Sequence, residues 1–393
     1  MSLKIVDVCA FYTADGGGVK TYVERKLKAA RPGAEEVIII APGENDAVIR
    51  RHSGGGIITL ASPRFPLDRR YRYFDDEAVL HALLDELAPD VVEASSPWGA
   101  ASMVGRWRGP ALRSLVMHAD PLSAYAYRWF GGVASRETID RGFDWFWRRL
   151  RRLDSQFDLV VSAGGRLSNR LGAGGLAKVA TIPMGVEPAI FSPVRRDEDL
   201  RARLLARCSL DRTATLLIGI GRLAPEKRWP MVIEAVTSAG YDQPVGFILF
   251  GDGRDRARVV RAAANNPHVH LAAPIADRIE LATILASADA LIHGCEAETF
   301  CMVAAEAKAS GLPLIVPDEG GAGDQFSKGQ GALYEAANPG SLAGAIRTFV
   351  AASPAAHRAR AAMAAPQVVT MDEHFARLFG TYAAHVERLA DVA

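Results

Sequence analysis

Short runs of β-branched and other apolar residues alternate with amphipathic stretches, and the alternation starts over halfway along the chain. Strand-like runs fall at 4–9, 36–41, 57–60, 91–94, 113–117, 159–162 and 179–182. A second series follows at 215–219, 245–250, 269–272, 290–293 and 313–316. Helical spacing of apolar residues fills the gaps, as at 19–30, 76–87, 229–239, 256–264 and 300–310. Strand, helix, strand in sequence demands a right-handed crossover and a parallel sheet covered on both faces. Two such series in 393 residues, more than one hydrophobic core holds, predict two α/β domains.

The break between the series carries Pro188 and Pro193, followed by a charge run at 195–199. It reads as a linker, giving domains at 1–187 and 188–370. A last stretch, 371–393, places Phe375, Leu378, Phe379 and Tyr382 at helical spacing. Lys and Arg number 46 against 45 Asp and Glu, a balance that excludes the basic excess of a nucleic-acid binder. Cys9, Cys208, Cys295 and Cys301 form no Cys-x-x-Cys pair and sit in apolar runs, as the reduced thiols of a cytosolic protein do. No charged-then-apolar leader opens the sequence, and no uncharged apolar run reaches the roughly 20 residues that cross a bilayer. The expectation is a cytoplasmic protein with at most peripheral contact with the inner membrane surface.

Three strand ends carry residues suited to phosphate and sugar chemistry. Gly16, Gly17 and Gly18 follow the first strand and open a helix, where free amides and a partial positive charge face an anion. A flexible turn would look the same. The run is not Gly-x-Gly-x-x-Gly, and no acid ends the second strand, which argues against a nicotinamide or flavin enzyme. Arg222 and Lys227 share one loop after the first strand of the second series, where two cations can clamp a diphosphate. After the strand at 290–293, Glu298 stands at a turn and Glu306 lies two turns into the expected helix at 300–310, among Met302, Val303, Ala304 and Ala305. A carboxylate rarely sits in such company unless it is paired or used.

Taken in order, Ile182-Pro183-Met184-Gly185-Val186, Gly221-Arg222-Leu223 with Glu226-Lys227, Gly251-Asp252-Gly253, Glu298-x7-Glu306 and the run at 309–316 resemble family 4 glycosyltransferases. That is the retaining group with the GT-B fold: two Rossmann-like domains whose parallel sheets face an interdomain cleft. The resemblance covers essentially the whole chain and is strongest over 215–325. It implies a nucleotide-sugar donor in the second domain, an acceptor in the first, and a terminal helix that crosses back onto the first domain. Arg222 and Lys227 would neutralise the leaving diphosphate, without metal or other cofactor. Glu306 would hold the ribose hydroxyls, and Glu298 and His118 would contact the donor sugar. The amides of Phe300, Cys301 and Met302 would hold sugar hydroxyls or phosphate. Gly17 and Gly18 would approach the donor, Gly251 and Gly253 would line the nucleoside pocket, and Pro274 and Ile275 would meet the base.

Three positions depart from the pattern. Met184 stands for the usual Asn, Arg228 for the Gly after Glu-Lys, and Phe300-Cys301-Met302 for Phe-Gly-Leu. Trp98 and Tyr125, in loops of the first domain, are acceptor candidates, each equally a packed loop residue. Two basic stretches with aromatics, 64–73 and 141–157, could touch an anionic surface, although an ordinary helix with its aromatics in the core explains the second as well. Acceptors in this family run from small molecules to lipids and polysaccharide precursors. A nucleotide-sugar epimerase, or a non-catalytic sugar-nucleotide binder of the same fold, would share these motifs.

Overall fold

The computed structural model describes residues 2–13, 18–50, 55–66, 69, 71–118, 120, 122, 126, 135–264 and 266–392. Two sheets form from the two series of strands. The first contains β1 (Leu3–Val8), β2 (Glu35–Gly43), β3 (Ala47–Arg50), β4 (Gly56–Ala61), β5 (Val91–Ala94), β6 (Leu112–Met117), β7 (Leu159–Ser162) and β8 (Val179–Thr181). Its strand order is β3-β4-β2-β1-β5-β6-β7-β8. The second contains β9 (Thr215–Ile220), β10 (Val245–Phe250), β11 (Val269–Ala272), β12 (Ala290–Ile292), β13 (Leu314–Pro317) and β14 (Gly331–Tyr334), ordered β11-β10-β9-β12-β13-β14.

Every pairing is parallel except β3 with β4. The expected parallel sheets are present, and β3 is a strand that the sequence pattern does not mark. β3 is a four-residue edge strand that turns back through Glu44–Asp46, a connection too short for a crossover. β14, a strand of Gly331, Ala332, Leu333 and Tyr334, also escapes the sequence pattern, because it lacks the β-branched run that marks the others.

The central strands read as continuous apolar runs because both faces are covered. β10 is buried at every residue, as is β13. The helix Met371–Val392 then returns to the first sheet. Phe375, Leu378, Phe379 and Tyr382 pack in one cluster with Ile5, Val37, Ile39, Val116 and Val161. Met184 and Met302 touch both this cluster and the core of the second sheet.

Strand order fixes where loops meet. In the first sheet the order reverses between β1 and β5, and in the second between β9 and β12. Crossovers leave in opposite directions there, so the loops beyond the carboxyl ends part and leave a crevice. The helix Gly18–Ala29 is the next element after β1, and Ser95–Trp98 follows β5. The loop 221–228 follows β9, and 293–301 follows β12.

Candidate active site

The loop after β9 is shaped by close backbone approaches. A Cβ at Gly251 would stand 2.0 Å from the Gly221 carbonyl oxygen, and one at Gly253 would stand 2.4 Å from that of Leu223. Both glycines therefore let the ends of β9 and β10 lie together. The fully buried Trp229 donates its indole N–H to the Arg222 carbonyl at 3.0 Å and fastens the loop from below. Lys227 closes a 3-10 turn and points at Glu298, with which it forms a short ion pair. Burial alone would discharge both groups. Their attraction reverses that: the Glu298 carboxyl is held well below its usual range, and the Lys227 ammonium is held above its own.

The two loop positions where Gly is usual, 228 and 301, are both left-handed. Arg228 has φ 50° and Cys301 has φ 66°. A side chain there costs about 1–2 kcal/mol. At Arg228 the guanidinium offsets part of that cost by pairing with Glu296 at 2.9 Å. Cys301 precedes the helix Met302–Ala309, so the helix begins two residues later than the sequence pattern suggests. Glu306 consequently lies just over one turn from the helix start, not two. The first amides of that helix have no preceding turn to bind within it and face the loop 298–301.

Glu306 is buried and receives Arg278 at 2.6 Å. Burial raises its carboxyl, and Arg278 only partly opposes the shift. Arg278 also reaches Glu187 at 2.9 Å, and Glu187 meets Arg25 of the helix Gly18–Ala29. Pro274 and Ile275 lie in the loop between β11 and Asp277, the N-cap of the helix that opens with Arg278. That loop and Glu306 are thus neighbours through Arg278.

Two contacts bring the sheets' loops together. Thr299 donates its hydroxyl to the His118 carbonyl at 3.0 Å, and the Arg166 amide donates to Asp324 at 3.1 Å. His118 follows β6, and its ring stands edge-on to Tyr22 at 4.8 Å. Burial pushes its imidazole down to about 4. His374 donates from Nδ1 to the Pro183 carbonyl, which leaves Nε2 to accept the Tyr22 hydroxyl at 3.1 Å.

The structure thus brings Lys227 onto Glu298, on the loop that runs through Phe300 and Cys301 into the helix opened by Met302, with the His118 carbonyl on Thr299 and Glu306 along the same helix. Arg222 shares the loop, but its side chain is 79% exposed and lies 3.6 Å from Glu226. Trp98 packs against Phe146 at 5.8 Å, and its carbonyl accepts from Arg149. Gly18 begins its helix with open space at its Cα, while Gly17 and Tyr125 lie outside the described residues. In the basic helix Asp144–Gln156, Phe146, Trp147, Leu150 and Leu153 are buried, while Trp145 is exposed.

Sequence reasoning missed four partners: Arg278, His293, and the pair Gly320-Gly321. The Gly321 amide donates to the Glu298 carbonyl at 2.6 Å, and a Cβ at Gly320 would meet the Glu296 carbonyl oxygen at 2.2 Å. A glycine pair just past the strand at 313–316 was a readable signal. Nothing local marks Arg278 or His293.

The family described as "Glycosyl transferases group 1" matches residues 206–366. The chain is 28% identical over 386 residues to a GDP-mannose-dependent alpha-(1-6)-phosphatidylinositol dimannoside mannosyltransferase of Mycobacterium tuberculosis, covering 97% of this chain and 96% of that one. It is 31% identical over 327 residues to a GDP-mannose-dependent alpha-mannosyltransferase of the same species, covering 82% and 81%. Among solved structures, a sucrose-phosphate synthase from Thermosynechococcus elongatus superposes with a TM-score of 0.74 at 16% identity, over 99% of this chain and 100% of that one.

Proposed function

The chain belongs to the group 1 glycosyl transferases and is a glycosyltransferase of GT-B fold, and from that premise we propose that it moves a mannosyl group from GDP-mannose to an acceptor hydroxyl with retention at the anomeric carbon. The donor proposal rests on the two relatives above, both of them GDP-mannose-dependent by name. The first, matched over nearly its full length, acts on a mannosylated phosphatidylinositol, which supports a glycolipid acceptor here. Among the described residues no helix is long and apolar enough to cross a membrane, so such an acceptor would be met at a lipid surface.

The observation that carries the reading is the Lys227–Glu298 pair at the opening of the helix Met302–Ala309. Breaking a sugar–diphosphate bond places negative charge on the leaving group. A preorganised ammonium and a helix's first amides stabilise that charge without a metal ion. Arg222, exposed beside Glu226 on the same loop, adds a second cation to the diphosphate. Glu298 and His118 face the sugar. Phe300, Cys301 and Met302 hold its hydroxyls or the phosphates through their amides. Glu306 exchanges Arg278 for the ribose hydroxyls, with Gly251 and Gly253 beside the nucleoside, Pro274 and Ile275 at the base, and Gly17 and Gly18 toward the phosphates. The second sheet's domain takes the donor. The first takes the acceptor, with Trp98 and Tyr125 as its candidate contacts.

Binding shifts stability by mass action. A thermal-shift comparison of GDP, UDP and ADP, each with its common sugar, is expected to favour GDP-mannose, and an added glycolipid acceptor is expected to yield an α-mannoside by anomeric NMR. A stronger shift with UDP- or ADP-sugars, or a β-linked product, would refute the donor or the stereochemistry respectively.

A further inference from the structure

One buried imidazole beside the Lys227–Glu298 pair has Glu298 alone near its ring nitrogens. His293 follows β12 and is 0% exposed, and neither ring nitrogen has a hydrogen-bond partner. Its carbonyl accepts the Tyr334 hydroxyl at 2.8 Å, and Trp229 stands edge-on to its ring at 6.4 Å, so the ring is held in place. Nε2 points toward Glu298, whose Oε1 lies 3.6 Å away, too far for a hydrogen bond. Buried polar groups are normally satisfied, and an orphan calls for an explanation such as an absent ion. Cys295, buried two residues on, completes a trio. One ligand atom each from His293, Cys295 and Glu298 lies within 4.8 Å of the others, and among the described residues this is the one such group.

We propose that His293, Cys295 and Glu298 bind a thiophilic divalent cation of the zinc type, and that the bound cation draws Glu298 away from Lys227 and so opens that ammonium to the donor diphosphate. An imidazole nitrogen, a thiolate and a carboxylate suit zinc or cobalt and not the hard cations magnesium and calcium. Three protein ligands leave the fourth tetrahedral position to water. Tetrahedral bonds of about 2.0–2.3 Å set ligand atoms about 3.4–3.8 Å apart, so the trio must contract by about 1 Å. The loop between β12 and the helix Met302–Ala309 can supply that. The charges balance: Cys295 gives its thiol proton to solvent as the sulfur–metal bond forms, the aquo ion loses water, and no electron moves. Thiolate and carboxylate together neutralise the cation. Lys227 is then left without its partner. The binding half stands on geometry alone, and the coupling half rests on the donor reading of Lys227 and Glu298.

Cobalt(II) titration of the full chain tests the first half. One equivalent is expected to bring a near-ultraviolet thiolate-to-cobalt band and four-coordinate visible bands, both lost in Cys295→Ser and His293→Gln. Should the His293 variant not fold, Cys295→Ser, a near-isosteric change, carries the test. No thiolate band in the wild type, or one that persists in Cys295→Ser, overturns the site. For the second half, zinc is expected to tighten GDP binding by calorimetry at least about tenfold in the wild type and under twofold in Cys295→Ser. Unchanged or weakened GDP affinity in the wild type overturns the coupling. A Cys295-dependent cobalt band in a chain that binds no GDP under any condition would sink the donor reading and leave the metal site standing.

Discussion

Each sheet holds a lysine paired with acid where its strand order reverses, two carboxylates in the first and one in the second, and the two clusters differ in what surrounds them. In the first, Lys26 lies 2.9 Å from Asp7 of β1 and 2.7 Å from Glu93 of β5, all three fully buried. Ser95 donates to Asp7 at 2.6 Å, and Tyr382 of the terminal helix donates to Glu93 at 2.7 Å. Burial works against the Lys26 charge, yet Asp7 and Glu93 hold the ammonium above its ordinary value. In the second, Lys227 and Glu298 keep 14% and 27% of their side chains exposed, and His293 beside them has no hydrogen-bond partner. The first cluster is saturated and capped by the helix Met371–Val392. The second leaves part of both charged side chains open to solvent. Similar ingredients serve structure where every acceptor is filled, and ligand binding where some are not.

That contrast can be broken most directly at Lys26. Lys26→Met leaves two buried carboxylates without their cation, and urea denaturation should show a loss of about 3–5 kcal/mol. A loss under 1 kcal/mol would mean the first cluster is no more structural than the second. Lys227→Ala should do the reverse. Steady-state kinetics should show kcat/KM lower by about 10²–10³-fold, the range for removing one transition-state charge stabiliser, with a melting temperature close to wild type. Equal damage to folding would erase the distinction.

Acid sharpens it further. His118 and His374 are both pushed down to about 4 by burial. The unfolded chain takes up these protons near pH 6.5 while the folded chain does not. Their stability contribution is therefore whole above pH 6.5 and is lost as pH falls from 6.5 to 4, up to roughly 3 kcal/mol for each imidazole. Melting temperature measured over that window should fall in the wild type and less in His374→Gln. Smallest is Tyr382→Phe, which removes one donor from Glu93 and should cost about 1–2 kcal/mol in the same denaturation. No change would show that Ser114, 3.0 Å from the same hydroxyl, and Lys26 already satisfy the cluster.

Legibility in the sequence followed range. The strand at 245–250 is β10 to the residue, because a buried parallel strand announces itself as an unbroken apolar run. The acids at 197–199 appear as the N-cap and first turn of the helix Glu198–Arg207, since capping chemistry is local. Lys227 and Glu298 were readable as strand-end residues, but their contact spans 71 positions and depends on β9 and β12 being neighbours. Lys26 looked like one more lysine of an amphipathic helix. Only the sheet places Asp7 and Glu93 beneath it.

The sequence by itself determined the two series of strands and helices, the glycines that let loops approach, and the family resemblance, because periodicity and turn geometry are properties of neighbouring residues. The tertiary structure alone decided that Arg278 caps Glu306, that Thr299 reaches His118 across 181 positions, and that Tyr382 reaches Glu93 across 289. Those pairings depend on strand order and on a terminal helix that folds back, and no local pattern encodes which distant side chains a crossover will bring within bonding distance.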